Sequence, residues 1–197
     1  MSAPLAGVIL AGGASSRMGS PKALLRAPGS SESFLDRLIG ILAPHCDPVI
    51  VVLGHHAETI RAGISRGSQA VLVVNERYAL GQLSSLQCGL RAVPENAAGV
   101  LFTPVDHPSV RPETVERIVA AFRTEAGAVL VIPRHQGERG HPVCCARELI
   151  PEFLALPPDA QARDVVRGHL GQACYVEVDD AGVLRDIDDP ETYRRLV

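Results

Sequence analysis

The stretch LAGGASSRMGSPK, residues 10–22, begins where an apolar run stops and places two glycines, paired serines, an arginine and a lysine at one strand-to-loop corner. Glycines there free backbone N–H groups to line a concavity and let an anion approach more closely than side chains would permit. Leu10, Ala11, Gly12 and Gly13 are accordingly candidate nucleotide contacts. Arg17 and Lys22 add fixed positive charge, suited to a triphosphate and to the charge that grows on a departing pyrophosphate. The spacing excludes two common phosphate loops. It is not GxGxxG, and the proline before Lys22 and the alanine after it break GxxxxGK[ST]. A plain polar turn is the competing reading, because surface turns favour the same residue types.

Working outward, apolar runs rich in β-branched residues recur at 6–10, 49–53, 70–74, 99–105, 128–132 and 175–178. Near-continuous apolar strands suit a sheet covered on both faces. Helical spacing lies between them: Phe34, Leu35, Leu38, Ile39 and Leu42; then Leu86, Leu90 and Val93; then Val115, Ile118, Val119 and Phe122, opened by Pro112 at a position where proline is tolerated. This alternation predicts one α/β domain over 1–197 with a mostly parallel sheet, its ligand at the C-terminal strand ends. Between 133 and 147 the pattern breaks, and HPVCCA predicts an extra strand or hairpin; short helices are expected near 148–156 and 161–170.

Composition removes several classes. Five cysteines without a CxxC spacing suggest buried thiols and neither a disulfide framework nor a structural zinc site. The formal charge of −3 and an aromatic content of 4% with no tryptophan argue against a nucleic-acid partner, so any anionic ligand must be held by a local arrangement. No apolar run reaches the roughly 20 residues that span a bilayer, and MSAPLAGVIL lacks the basic segment of a signal peptide. These features predict a cytoplasmic protein with no membrane partner.

Asp106 follows VLFTPV. Because Pro104 cannot donate to a ladder, the strand should end there, placing Asp106 on the ligand-bearing edge. A carboxylate facing a triphosphate needs a cation between them, and Mg²⁺ takes one or two carboxylates together with phosphate oxygens and water. A second acid is then expected from DIDDP, where Asp186, Asp188 and Asp189 are available. Asp188 or Asp189, before Pro190, also suits an N-cap.

LAGGASSRMGSPK resembles the signature loop of nucleotidyltransferases with a GT-A-like Rossmann fold, and more narrowly the molybdenum cofactor cytidylyltransferase and guanylyltransferase group. VVLGHHAETI, NERYALGQLSSLQCGL, VDHPSVRPETV, GERGHPV and DIDDPETY follow in that group's order and spacing, so the resemblance covers essentially the whole chain. It implies a three-layer Rossmann-like fold and Mg²⁺-dependent transfer of NMP from an NTP to the terminal phosphate of molybdopterin or molybdenum cofactor. A molybdoenzyme or its chaperone is implied as a partner. It further implies metal binding by Asp106 and by Asp188, the residue before the family's TP, with Asp186 the alternative. In GQLSSL, Gly81, Gln82, Ser84 and Ser85 lie on the nucleoside side, one serine capping the helix. Arg139 and His141 of GERGHPV, with Arg163 of DAQAR, lie on the acceptor side, the guanidinium of Arg139 matching phosphate oxygens bidentately. LAGG is spelled as in guanylyltransferases, whereas GQLSSL and RGHPV are spelled as in cytidylyltransferases; CTP is favoured. An acceptor that is a sugar or alcohol phosphate, or a nucleotide sensor without turnover, are the other readings. The sensor would not need both acids.

Overall fold

In a computed structural model, residues 3–196 are described; residues 1–2 and 197 of the expected domain lie outside them. Eight strands form one sheet: β1 (Leu5–Ala11), β2 (Cys46–Leu53), β3 (Val71–Val74), β4 (Gly99–Pro104), β5 (Leu130–His135), β6 (Glu138–Arg139), β7 (Val143–Ala146) and β8 (Ala173–Glu177). The order is β3-β2-β1-β4-β7-β5-β6, with β8 on β5. Pairings among β3, β2, β1 and β4 are parallel, as is β5 with β8, while β7 runs antiparallel to both β4 and β5.

The sheet is covered on both faces. Leu5, Ile9 and Ala11 of β1 pack into one core, Val8 and Leu10 into the other, as the period of two requires. On the first face lie α1 (Phe34–Leu42), α2 (Ala57–Gly63), α4 (Pro112–Thr124) and α7 (Pro190–Arg194); on the second lie α3 (Gln82–Arg91), α5 (Ile150–Ala155) and α6 (Ala162–Gly168). This is the three-layer α/β arrangement predicted from the alternation. Local sequence sets the helix starts. Ser33 Oγ accepts from Asp36 N–H (3.0 Å) to cap α1, Pro112 opens α4, and Asp189 caps α7 through the Glu191 and Thr192 N–H groups.

The structure departs from the sequence reading at several boundaries. The strand expected over 128–132 starts at Leu130 and runs on to His135, because past the sheet proper it still pairs with β6 and β8. The strand expected over 175–178 is Ala173–Glu177. HPVCCA does form an extra strand, inserted between β4 and β5. Helix α2 was not predicted: only Ile60 of its seven residues is buried, so it carries no apolar period.

Candidate active site

The edge formed by the C-terminal ends of β1 and β4 is where three remote segments meet. Val105 N–H donates to the Leu10 carbonyl (3.0 Å), one pairing beyond the last strand residue, which brings Asp106 level with the start of the glycine loop. Ile187 N–H donates to the Asp106 carbonyl (2.9 Å), and its side chain is fully buried. That pin delivers the neighbouring Asp188 to the same edge. Asp186 is exposed and does not line the cavity, whereas Asp188 does. Asp189 serves as the α7 cap, so the two functions weighed for this acidic segment fall to adjacent residues.

Lys22 lies between the acids. Its Nζ donates to Asp106 Oδ2 (3.3 Å) and to Asp188 Oδ1, and its backbone N–H donates to Ser15 Oγ (3.1 Å). Ser15 has φ 51°, a left-handed conformation uncommon for a serine, which folds the loop back toward Lys22. Arg17 is more peripheral: Nη1 is 3.9 Å from Asp188 Oδ2 and the side chain is 73% exposed, a geometry whose ion pair contributes at most about 1 kcal/mol.

The two carboxylates respond oppositely to this setting. Burial raises the Asp106 carboxyl above its ordinary range, although the Lys22 ammonium opposes the rise. The hydrogen bond from Lys22 lowers that of Asp188, which is 41% exposed against 22% for Asp106 and loses less hydration. Two acids from distant segments converging on one small cation form a donor set that fits a divalent ion. Among the described residues no group of three His, Cys, Asp or Glu side chains is arranged to hold a metal. The pair thus suits an ion such as Mg²⁺, which takes phosphate and water for its remaining ligands.

A cavity of about 540 Å³ opens in front of this pair, lined by the loop from Leu10 to Arg17, by Lys22, Asp106 and Asp188, and across from them by Tyr78, Gly81, Gln82 and Ser85. Leu10, Ala11, Gly12 and Gly13 are therefore all on its wall. Gly12 has a steric reason to be glycine: a Cβ there would stand 2.9 Å from Ser85 Oγ, a hydroxyl that Asn75 Nδ2 holds by a 3.1 Å bond. Gly54, at the end of β2, backs onto Gly12, and a Cβ on it would meet the Gly12 carbonyl at 2.4 Å. Neither Gly54 nor Tyr78 nor Asn75 was singled out from the sequence. Asn75 lies just beyond β3 and its partners are nine and ten residues away, so no local spacing marks it.

Two expectations about α3 need correction. Gly81, not a serine, is its N-cap, and no side chain caps it. Ser84 does not line the cavity: its Oγ donates back to the Gly81 and Arg77 carbonyls (2.7 and 3.0 Å) and accepts from Asn75, so it buttresses the turn while Ser85 faces the space.

Arg139, His141 and Arg163 line a second cavity of about 460 Å³, which shares Leu10, Gln82 and Pro104 with the first. The structure assigns His141 no charge to offer an acceptor. Burial, helped by neighbouring His107, pushes its pKa down to about 3, so the ring is neutral. It packs against His107 (centroids 4.9 Å apart) and Phe102 (6.4 Å). His107 Nε2 is 3.9 Å from Asp106 Oδ1, and burial lowers its pKa as well. A folded histidine that resists protonation binds fewer protons than the unfolded chain, so stability is fully present above about pH 6.5 and is lost as pH falls toward 3. Thermal midpoints recorded from pH 7 to 4 should therefore fall less steeply in His141→Phe than in the wild type. Equal slopes would mean that the His141 ring titrates normally.

Residues 7–174 match the family model described as the MobA-like NTP transferase domain. A probable molybdenum cofactor guanylyltransferase of Rhodopirellula baltica is 36% identical over 141 residues, 71% of this chain and 66% of that protein, so the match spans just under two thirds of that relative. The molybdenum cofactor cytidylyltransferase of Escherichia coli is 27% identical over 186 residues, 94% of this chain and 92% of its own length. A Mycobacterium tuberculosis protein solved in complex with manganese superposes with a TM-score of 0.81 at 27% identity, covering 98% of this chain and 97% of that one.

Proposed function

The chain belongs to the MobA-like NTP transferase domain family, and from that premise we propose that it transfers NMP from an NTP, with CTP preferred, to the terminal phosphate of molybdopterin or molybdenum cofactor. The observation that carries this reading is the convergence of Asp106, Asp188 and Lys22 at the mouth of a cavity walled by Gly12 and Gly13. An acceptor phosphate oxygen attacks the α-phosphorus in line, that bond forms as the α–β bridging bond breaks, and pyrophosphate leaves. Gly12 and Gly13 admit the phosphate chain to backbone distance. Gly81, Gln82 and Ser85 face the nucleoside, and Lys22 and Arg17 offset charge on the departing pyrophosphate. Asp106 and Asp188 would hold Mg²⁺, whose chemistry when bound is to neutralise phosphate charge. No nucleophilic side chain is required. One domain over 1–197 carries both subsites, acts in the cytoplasm and delivers its product to a molybdoenzyme or its chaperone.

Pyrophosphate release with molybdopterin, Mg²⁺ and each NTP in turn tests the proposal: CTP should support it best, and release with no nucleotide would overturn it. GTP is the second reading, favoured by Gly12 in its LAGG setting and by the similarity to the Rhodopirellula relative. Gly12→Ala should raise the KM for NTP about tenfold, because a methyl 2.9 Å from Ser85 Oγ forces the loop or Ser85 into the space the nucleotide takes. Adding Ser85→Ala makes room for the methyl and should recover part of that loss; a double variant no better than Gly12→Ala would rule out the contact as its cause.

A further inference from the structure

The second cavity carries more positive charge than one phosphate needs. Arg163 and Arg167 are four residues apart on α6, hence on one face of the helix, and both line the cavity together with Arg139 of β6. Among the described residues, none of these three has a carboxylate oxygen within 4.0 Å, whereas Arg66, Arg134 and Arg195 are paired with Glu32, Glu177 and Glu191. Asp164, the acid next to Arg163, is engaged elsewhere: its side chain accepts from Gln161 N–H (2.8 Å) in the capping box that starts α6. His141, on the wall of the same cavity, is neutral. These three exposed guanidiniums on one cavity wall, without a paired carboxylate, give that cavity a local positive charge that attracts an anion.

We infer that Arg167, acting with Arg163 and Arg139, holds a second anionic group of the acceptor, remote from the phosphate that reacts. The inference rests on the transfer reading above. The reacting phosphate has to reach the first cavity, where it would meet the α-phosphorus beside Asp106 and Asp188. A bidentate guanidinium satisfies one phosphate edge, so three further guanidiniums along the neighbouring cavity match another anion on the same molecule. Phe102, Val143 and Val166 supply apolar wall for the body between the two charged ends. The acceptor class is a phosphomonoester with a body that can lie against apolar wall and an anionic far end. Arg167 is a binding residue for that end and takes no part in the bond change.

Steady-state kinetics with molybdopterin separate this role from a structural one. Arg167→Gln should raise the acceptor KM about tenfold, with kcat within twofold of wild type and the NTP KM unmoved; Arg167→Lys, which restores charge without the fork, should recover part of the KM. An acceptor KM unchanged in both Arg167→Gln and the Arg163→Gln/Arg167→Gln double variant overturns the inference. A second measurement does not depend on turnover. With the first cavity filled by Mg²⁺ and a non-hydrolysable NTP, inorganic sulfate is titrated against the arginine Nε–H NMR signals. Saturable shifts in the wild type that weaken at least tenfold in the double variant support the site, and identical titrations in the two proteins overturn it. Should the wild type transfer nothing to molybdopterin, the proposed acceptor falls while the sulfate titration still decides the anion site.

Discussion

Asp106→Asn is expected to lower the rate of nucleotidyl transfer by about a thousandfold or more, the several kcal/mol of transition-state stabilisation associated with a bound metal. The asparagine keeps the size of the side chain and a carbonyl oxygen to accept from Lys22, so what is lost is charge. Since burial already raises the pKa of Asp106, its ionised form is held against a desolvation cost at neutral pH. The variant should fold with a thermal midpoint equal to or above that of the wild type. Mn²⁺ binding followed by electron paramagnetic resonance should weaken in parallel with the rate. Near-normal activity at ordinary Mg²⁺ would remove Asp106 from the metal site, and a lowered midpoint would mean that the carboxylate is structural.

Lys22→Met should have the next largest effect, a fall in kcat/KM of about a hundredfold to a thousandfold, typical of removing one preorganised charge-stabilising donor. A second readout moves the other way. The Lys22 ammonium bonds both acids, in the place a bridging cation would take, so its removal should tighten Mn²⁺ binding to the nucleotide-free protein even as transfer fails. The Asp188 carboxyl, held low by its bond to Lys22, should return toward the ordinary range in the same variant. Unchanged kcat/KM would remove Lys22 from the transfer step, and weaker Mn²⁺ binding would show that it does not compete for the acids.

The parts of this site that the sequence announced are those where backbone chemistry is written in residue type. Two glycines after an apolar strand leave the backbone there free of side chains, and a proline that ends β4 just before Asp106 and another after Asp189 each restrict the local backbone; the strand ends and the α7 start fall as expected. What stayed hidden depends on tertiary approach. That Asp188 and not Asp186 lines the cavity was not legible in a segment whose two acids flank the buried Ile187 alike; it shows in the bond from Lys22, 166 residues away, to Asp188. Ser84 and Ser85 are identical in sequence terms, yet one turns back to the Gly81 carbonyl and the other faces the cavity. No motif marks Arg167, and only the course of α6 along the cavity lined by Arg139 brings it to that wall. His141 read as a polar acceptor contact, and packing against His107 and Phe102 makes it neutral.

The most direct test follows the fate of the phosphates. Purified protein is given molybdopterin, Mg²⁺ and CTP or GTP labelled separately in the α- and γ-phosphate, and the products are resolved by mass. The account predicts one pyrophosphate per acceptor consumed, with the α-label in a new pyrophosphate-linked dinucleotide, the γ-label in pyrophosphate, and no release without acceptor. Label appearing as orthophosphate, or pyrophosphate released at the same rate with and without acceptor, would contradict it.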